Sequence, residues 1–257
     1  MKTARLIFAG WRFHLKSLTL SGFFILTSAV QPVIFATVAF FMFRAGARGE
    51  TLLYVALGAG LMGIWSSTLF ASGGAIQWQR WQGTLEVSIA APAPFLLVLL
   101  PMTLASATIG LYSLTATLLW GRIFFGVPLD IAHPVLFAIA IPATVIGLGL
   151  LGLVMASTFI LYRNATALSN LLEYPIWLVT GLLIPVSLLP GWVAPLSWVL
   201  APTWGVRAIR DSALGRGEPA WAIVMCFVLG VVYLVVGTFF VRHFEKLARE
   251  RASLSLT

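Results

Sequence analysis

Long apolar runs separated by short polar intervals make up almost the whole chain. Runs near 20–43, 51–74, 95–120, 134–159, 171–189 and 220–241 carry almost no charge. Each is close to the about 20 apolar residues that cross about 30 Å of hydrocarbon, so the pattern predicts six membrane-spanning helices. Residues 1–18 differ: Arg5, Arg12 and Lys16 share one helical face, and Ala4, Phe8, Trp11 and Leu15 share another. That pattern predicts an amphipathic helix lying in the membrane interface.

The longest polar interval in the first half is 77–94, QWQRWQGTLEVSIAAPAP. Read as a helix, it puts Trp78, Trp81, Leu85 and Ile89 on one side and Gln79, Gln82 and Glu86 on another. Such a helix suits a bilayer surface, with the tryptophans in lipid and the amides and carboxylate offered to a soluble partner. Pro92 and Pro94 then stop it before the next run. A second irregular stretch follows the fifth run. No charge occurs between Glu173 and Arg207, yet Pro175, Pro185, Pro190, Pro195 and Pro202 all lie there. One straight helix cannot carry so many prolines. The expectation is a broken re-entrant segment at 190–204, with Trp192, Trp198 and Trp204 as an aromatic belt at the far interface.

Composition sharpens this into an integral membrane protein of one domain over 1–257. The 257 residues are 60% hydrophobic and 9% charged, against about 25% charged in a soluble domain, and the mean hydropathy is +0.99. The net charge is +8, but the basic residues flank the apolar runs, so lipid headgroups and topology account for them better than nucleic acid. Six spans place both termini on one side. Ten of the 16 Lys and Arg residues fall on that side, which predicts cytoplasmic termini and a cytoplasmic 77–94 loop. Positive charges extending to Lys16, followed by a long apolar run, read as a first permanent span rather than a cleaved signal. The single cysteine, Cys226, sits in an apolar run as a small hydrophobe.

The chemistry absent from the sequence narrows the function. No glycine-rich phosphate loop ending in Gly-Lys-Ser/Thr occurs, and Lys2, Lys16 and Lys246 do not follow a glycine. The chain alone is therefore not expected to hydrolyse ATP. No Gly-x-Ser-Gly nucleophile, His-Glu-x-x-His motif or metal-ligating cluster is present, and no catalytic residue is assigned. His14, His133 and His243 stand at span borders and read as solvated. An ion-coupled carrier would place ionisable groups at mid-membrane. The runs hold essentially none apart from Glu173, which is placed near a span end. The carrier and a membrane-embedded enzyme thus remain as alternatives to a permease powered from outside its membrane domain.

Gly83-Thr84-Leu85-Glu86, with Arg80 before and Pro92 after, resembles the first cytoplasmic loop of ABC-2 type transporter permeases. Pro175, Gly181, Pro185, Leu189-Pro190, Trp192, Pro202 and Arg210 resemble the later part of the same family in order and spacing. The resemblance implies the membrane subunit of an ABC exporter, in the drug or lipid branch. It also implies a second permease subunit, identical or homologous, and a separate ATPase subunit that binds ATP and magnesium. Arg80, Gly83, Thr84, Leu85 and Glu86 would form the coupling element; Trp11, Trp78 and Trp81 would be interfacial anchors. Pro190, Trp192, Pro202 and Arg210 would belong to the outer re-entrant segment. The substrate path would lie at the dimer interface, along spans one, two and five, for an apolar or amphiphilic substrate leaving the cytoplasm across the plasma membrane.

Overall fold

The computed structural model describes residues 2–44, 49–81, 83, 94–159, 165–182 and 185–251. Among them the secondary structure is entirely helical. Helix α1 is Lys2–Leu20, α2 Gly22–Arg44, α3 Gly49–Trp81, α4 Leu96–Ile109 and α5 Leu111–Phe125. Helix α6 is Pro134–Phe159 and α7 is Ala165–Val179; a 3₁₀ turn at Val186–Leu188 follows. Helix α8 is Val193–Trp198, α9 Ala201–Leu214 and α10 Pro219–Arg251. Four helical stretches are long and apolar enough to cross a membrane: Leu52–Gly74, Leu96–Phe125, Pro134–Phe159 and Pro219–Lys246.

Helix α3 is the axis of the bundle. It packs against α2, α4, α5, α6, α7 and α9. Glycines at the contacts are what let neighbours reach it. A Cβ on Gly60 would lie 2.6 Å from Leu114 Cα and 2.7 Å from Thr117 Oγ1 of α5. One on Gly63 would strike Ser113 and come within 2.6 Å of Pro32 Cγ of α2. From the other side, one on Gly110 would lie 2.5 Å from Ile64 Cα. Without a hydrophobic drive between helices in lipid, such contact is where association energy comes from. Thr37 on α2 receives the Trp120 indole N–H at 2.9 Å, fastening α2 to α5.

Helix α1 keeps its predicted amphipathic character but turns differently. Arg5, Arg12 and Lys16 are exposed, yet Phe8 is exposed as well. The partly buried stripe is Ile7, Gly10, Trp11, His14, Leu15 and Leu18, because α1 packs along α4. Gly10 sits where a Cβ would be 2.9 Å from Pro101, and Trp11 donates its indole N–H to Thr108 Oγ1 at 3.1 Å. His14, expected to be solvated, is partly covered, and burial holds its imidazole below the ordinary value. Ser21 ends α1 and its hydroxyl accepts the Phe24 N–H at 3.4 Å, an N-cap for α2.

Two predicted boundaries move. Residues 77–81 are not the start of a separate surface helix but the last turns of α3, since no proline or left-handed residue intervenes before Gly83, whose φ is +67°. The fifth run yields α7 alone, which stops at Val179 rather than near 189. Gly181, at φ +81°, ends that helix as glycine commonly does. Fifteen residues rise about 22 Å, short of a full hydrocarbon crossing.

Candidate functional site: a buried arginine, a buried carboxylate and the loop after α3

The segment after α7 folds as separate short pieces. Val193 N–H donates to Pro190 O at 2.9 Å to start α8, and Pro202 lies in the first turn of α9, where its missing N–H costs nothing. Tyr233 of α10 closes the corner between them. Its hydroxyl donates to Val199 O and accepts the Ala201 N–H at 3.1 Å. Trp204 donates its indole N–H to Trp198 O at 2.8 Å. Trp192 and Trp198 are exposed, whereas Trp204 is buried and belongs to this corner.

Arg210, on the inner face of α9, is only 4% exposed. Its Nη1 donates to Gly181 O at 2.6 Å and to the Tyr54 hydroxyl at 2.9 Å; its Nη2 donates to Leu182 O at 2.9 Å. The guanidinium carbon also stands 3.6 Å from the centre of the Tyr54 ring. A planar fork of donors suits two adjacent carbonyls, and the end of α7 offers the negative pole of its dipole. Arg210 therefore joins α3, α7 and α9 at one point. Gly58 makes room for it: a Cβ there would strike the guanidinium and lie 2.9 Å from Leu182 O.

Eight residues along α3 from Gly58 lies Ser66, whose hydroxyl donates to Glu173 Oε1 at 2.5 Å. Glu173 is 3% exposed. It occupies the middle of α7, not a span end as the sequence suggested, because α7 begins at Ala165 and ends early. Ser28 and Ser67 meet at 3.4 Å, Ser113 donates to Ser28 O, and Ser169 donates to Leu69 O at 3.5 Å. These hydroxyls form a polar stripe between α3 and its neighbours.

The opposite end of α3 carries the loop resemblance. Arg80 lies in the last turn of α3 and Gly83 in an exposed turn. Thr84, Leu85 and Glu86 fall outside the described residues, as does the side chain of Trp78. Trp81 is 73% exposed at the helix end. Where the loop returns, Phe95 N–H donates to Glu245 Oε2 at 3.4 Å, so a carboxylate near the end of α10 caps the start of α4. The sequence reading missed Tyr54, Ser66, Tyr233 and Glu245. A lone tyrosine or serine inside an apolar run is the available signal, and it is a weak one.

A family model for ABC-2 type transporters matches residues 5–214. The chain belongs to the ABC-2 type transporter family. The match spans α1 through α9 and so includes the loop after α3 and the Arg210 junction. No curated protein matches the chain. This ABC-2 protein is thus an integral membrane permease component, not itself an ATPase, of a kind that associates with an ATPase subunit.

Proposed function

We propose that the chain is the permease subunit of an ATP-driven exporter that moves an apolar or amphiphilic substrate out of the cytoplasm. The observation that carries the reading is the family match over 5–214. Six crossings, with α7 and the pieces after it completing the fifth, put both termini on the cytoplasmic side of the plasma membrane. Two such subunits, identical or homologous, carry ATPase subunits that bind ATP and magnesium. The substrate moves along α2, α3 and α7 at the dimer interface. Leu26, Val30 and Ile34 on α2 and Leu171 and Leu178 on α7 support this, because they leave an apolar face without cover in the single chain.

Arg80, Gly83, Thr84, Leu85 and Glu86 receive the motion of the ATPase subunit. Continuity of this loop with α3 supports that role, since a push at Trp81 is delivered straight to the bundle axis. Trp11, Trp78 and Trp81 anchor the cytoplasmic interface. Pro190, Trp192, Pro202 and Arg210 shape the outer lid. The carrier alternative would need a relay of ionisable groups. Among the described residues, Glu173 and Arg210 are the buried charged side chains, and one carboxylate and one guanidinium on separate helices, each hydrogen-bonded to other groups, do not make a relay.

The test is Glu86→Gln, assayed in proteoliposomes with the ATPase subunit. An exposed ion pair contributes about 0–1 kcal/mol, so folding and insertion are expected to stay intact. A pairing desolvated at the subunit contact costs about 3–5 kcal/mol to break. Complex assembly is then expected to weaken roughly a hundredfold or more, or substrate moved per ATP to fall, while Leu254→Ala behaves as wild type. A Glu86→Gln protein that assembles and transports with unchanged stoichiometry contradicts the coupling role.

A further inference from the structure

Among the described residues no cation stands beside Glu173, and its one hydrogen-bond partner is the neutral Ser66 hydroxyl. A carboxylate buried in protein with a single neutral partner is a costly choice for a structural contact. A glutamine would fill the same volume and accept the same hydrogen bond. What the glutamate adds is a negative charge that an incoming group can complete.

The surroundings suit one kind of incoming group. Trp177 lies one turn further along α7, on the same face as Glu173, and its ring meets Phe35 of α2 edge-on at 5.4 Å and 81°. Tyr174 meets the same indole at 5.2 Å and 75°. Tyr174 is 57% and Phe35 37% exposed, so the cluster opens to the α2–α7 face, and helical spacing sets Glu173 one turn from Trp177. Aromatic faces attract organic cations, and a buried carboxylate one helical turn from an aromatic cluster supplies the counter-charge in a low-dielectric setting.

We propose that Glu173, Phe35, Tyr174 and Trp177 form a binding site for a lipophilic organic cation. The proposal names a substrate class for the path described under Proposed function and rests on that reading for its place in transport. Phe35 and Tyr174 receive the cation from the α2–α7 face, and Glu173 pairs with it while keeping the Ser66 hydrogen bond. Neutral amphiphiles use the same apolar face without the carboxylate.

The experiment is binding of tetraphenylphosphonium to the full chain in lipid nanodiscs, with no ATPase subunit present. Wild type is expected to bind saturably above protein-free discs. Glu173→Gln is expected to weaken binding roughly tenfold or more, about 1.4 kcal/mol per tenfold step. The uncharged triphenylphosphine oxide is expected to bind both proteins equally. Absence of saturable binding to wild type, or equal tetraphenylphosphonium affinity in wild type and Glu173→Gln, overturns the proposal. Should Glu173→Gln fail to fold, Tyr174→Leu at its exposed position carries the test: weakened cation binding supports the site, and unchanged affinity overturns it. ATP plays no part in this assay, so its failure leaves the ATP-driven reading standing. A failure of that reading would equally leave a measured cation affinity intact.

Discussion

Replacing Arg210 with leucine is expected to destabilise the protein by about 3 kcal/mol or more. The side chain makes three hydrogen bonds, to two backbone carbonyls at the end of α7 and to the Tyr54 hydroxyl. Each buried acceptor left without a donor costs about 1–3 kcal/mol. For a chain of this length, 1 kcal/mol corresponds to roughly 2–4 °C, by scaling from soluble proteins. A drop of roughly 6–12 °C in the midpoint of detergent-phase thermal unfolding is therefore expected. Arg210→Lys keeps the charge but cannot present a planar fork, so it is expected to recover only part of the loss. Arg207→Ala serves as the comparison. Its guanidinium stands 5.0 Å from the centre of the Trp204 ring, a contact worth about 0.5–1 kcal/mol. Equal midpoints for Arg210→Leu and Arg207→Ala would show that Arg210 does not hold α3, α7 and α9 together.

The second large effect belongs to Gly63. Its missing side chain is where α2, α3 and α5 converge: a Cβ would strike Ser113, which donates to Ser28 O, and would sit 2.6 Å from Pro32. Two of these neighbours are tied down, Ser113 by its hydrogen bond and Pro32 by its ring, so the helices must part. Overpacking of this kind costs about 1–3 kcal/mol, and Gly63→Val, with two further carbons, is expected at the top of that range or beyond. Gly74→Ala, on the same helix, has open space around the new carbon. It is expected to be neutral or to stabilise by about 0.5–1 kcal/mol through helix propensity. Thermal midpoints of the two variants measured side by side check the pair. A Gly63→Val protein as stable as Gly74→Ala would contradict the packing described for α3.

Much of the helical layout was legible because hydropathy is read over windows of about 20 residues, and four apolar runs coincide with helices of spanning length. The amphipathic face of α1 was only half legible. Spacing finds a polar stripe, but which apolar residues face protein rather than lipid depends on α4, and Phe8 looks the same in either setting. The early end of α7 was hidden because Thr180 and Gly181 continue an apolar composition while changing the backbone. The start of α7 at Ala165, ahead of the expected run, is what moved Glu173 from a supposed border to mid-helix. Arg210 was found through family resemblance, not through chemistry. Its partners are backbone carbonyls and a tyrosine 156 residues away, and neither leaves a mark in the sequence near it. The coupling residues Thr84, Leu85 and Glu86 rest on the Gly-Thr-Leu-Glu pattern and on their place directly after α3.

The most direct test of the account is reconstitution with and without a separate nucleotide-binding subunit. The purified chain is inserted into liposomes, and ATP hydrolysis and movement of a lipophilic reporter are followed together. The account predicts no hydrolysis and no pumping by the chain alone, and both once the ATPase subunit is added with ATP and magnesium. Hydrolysis by the chain alone, or uphill transport driven by an ion gradient with no ATPase subunit present, would contradict it.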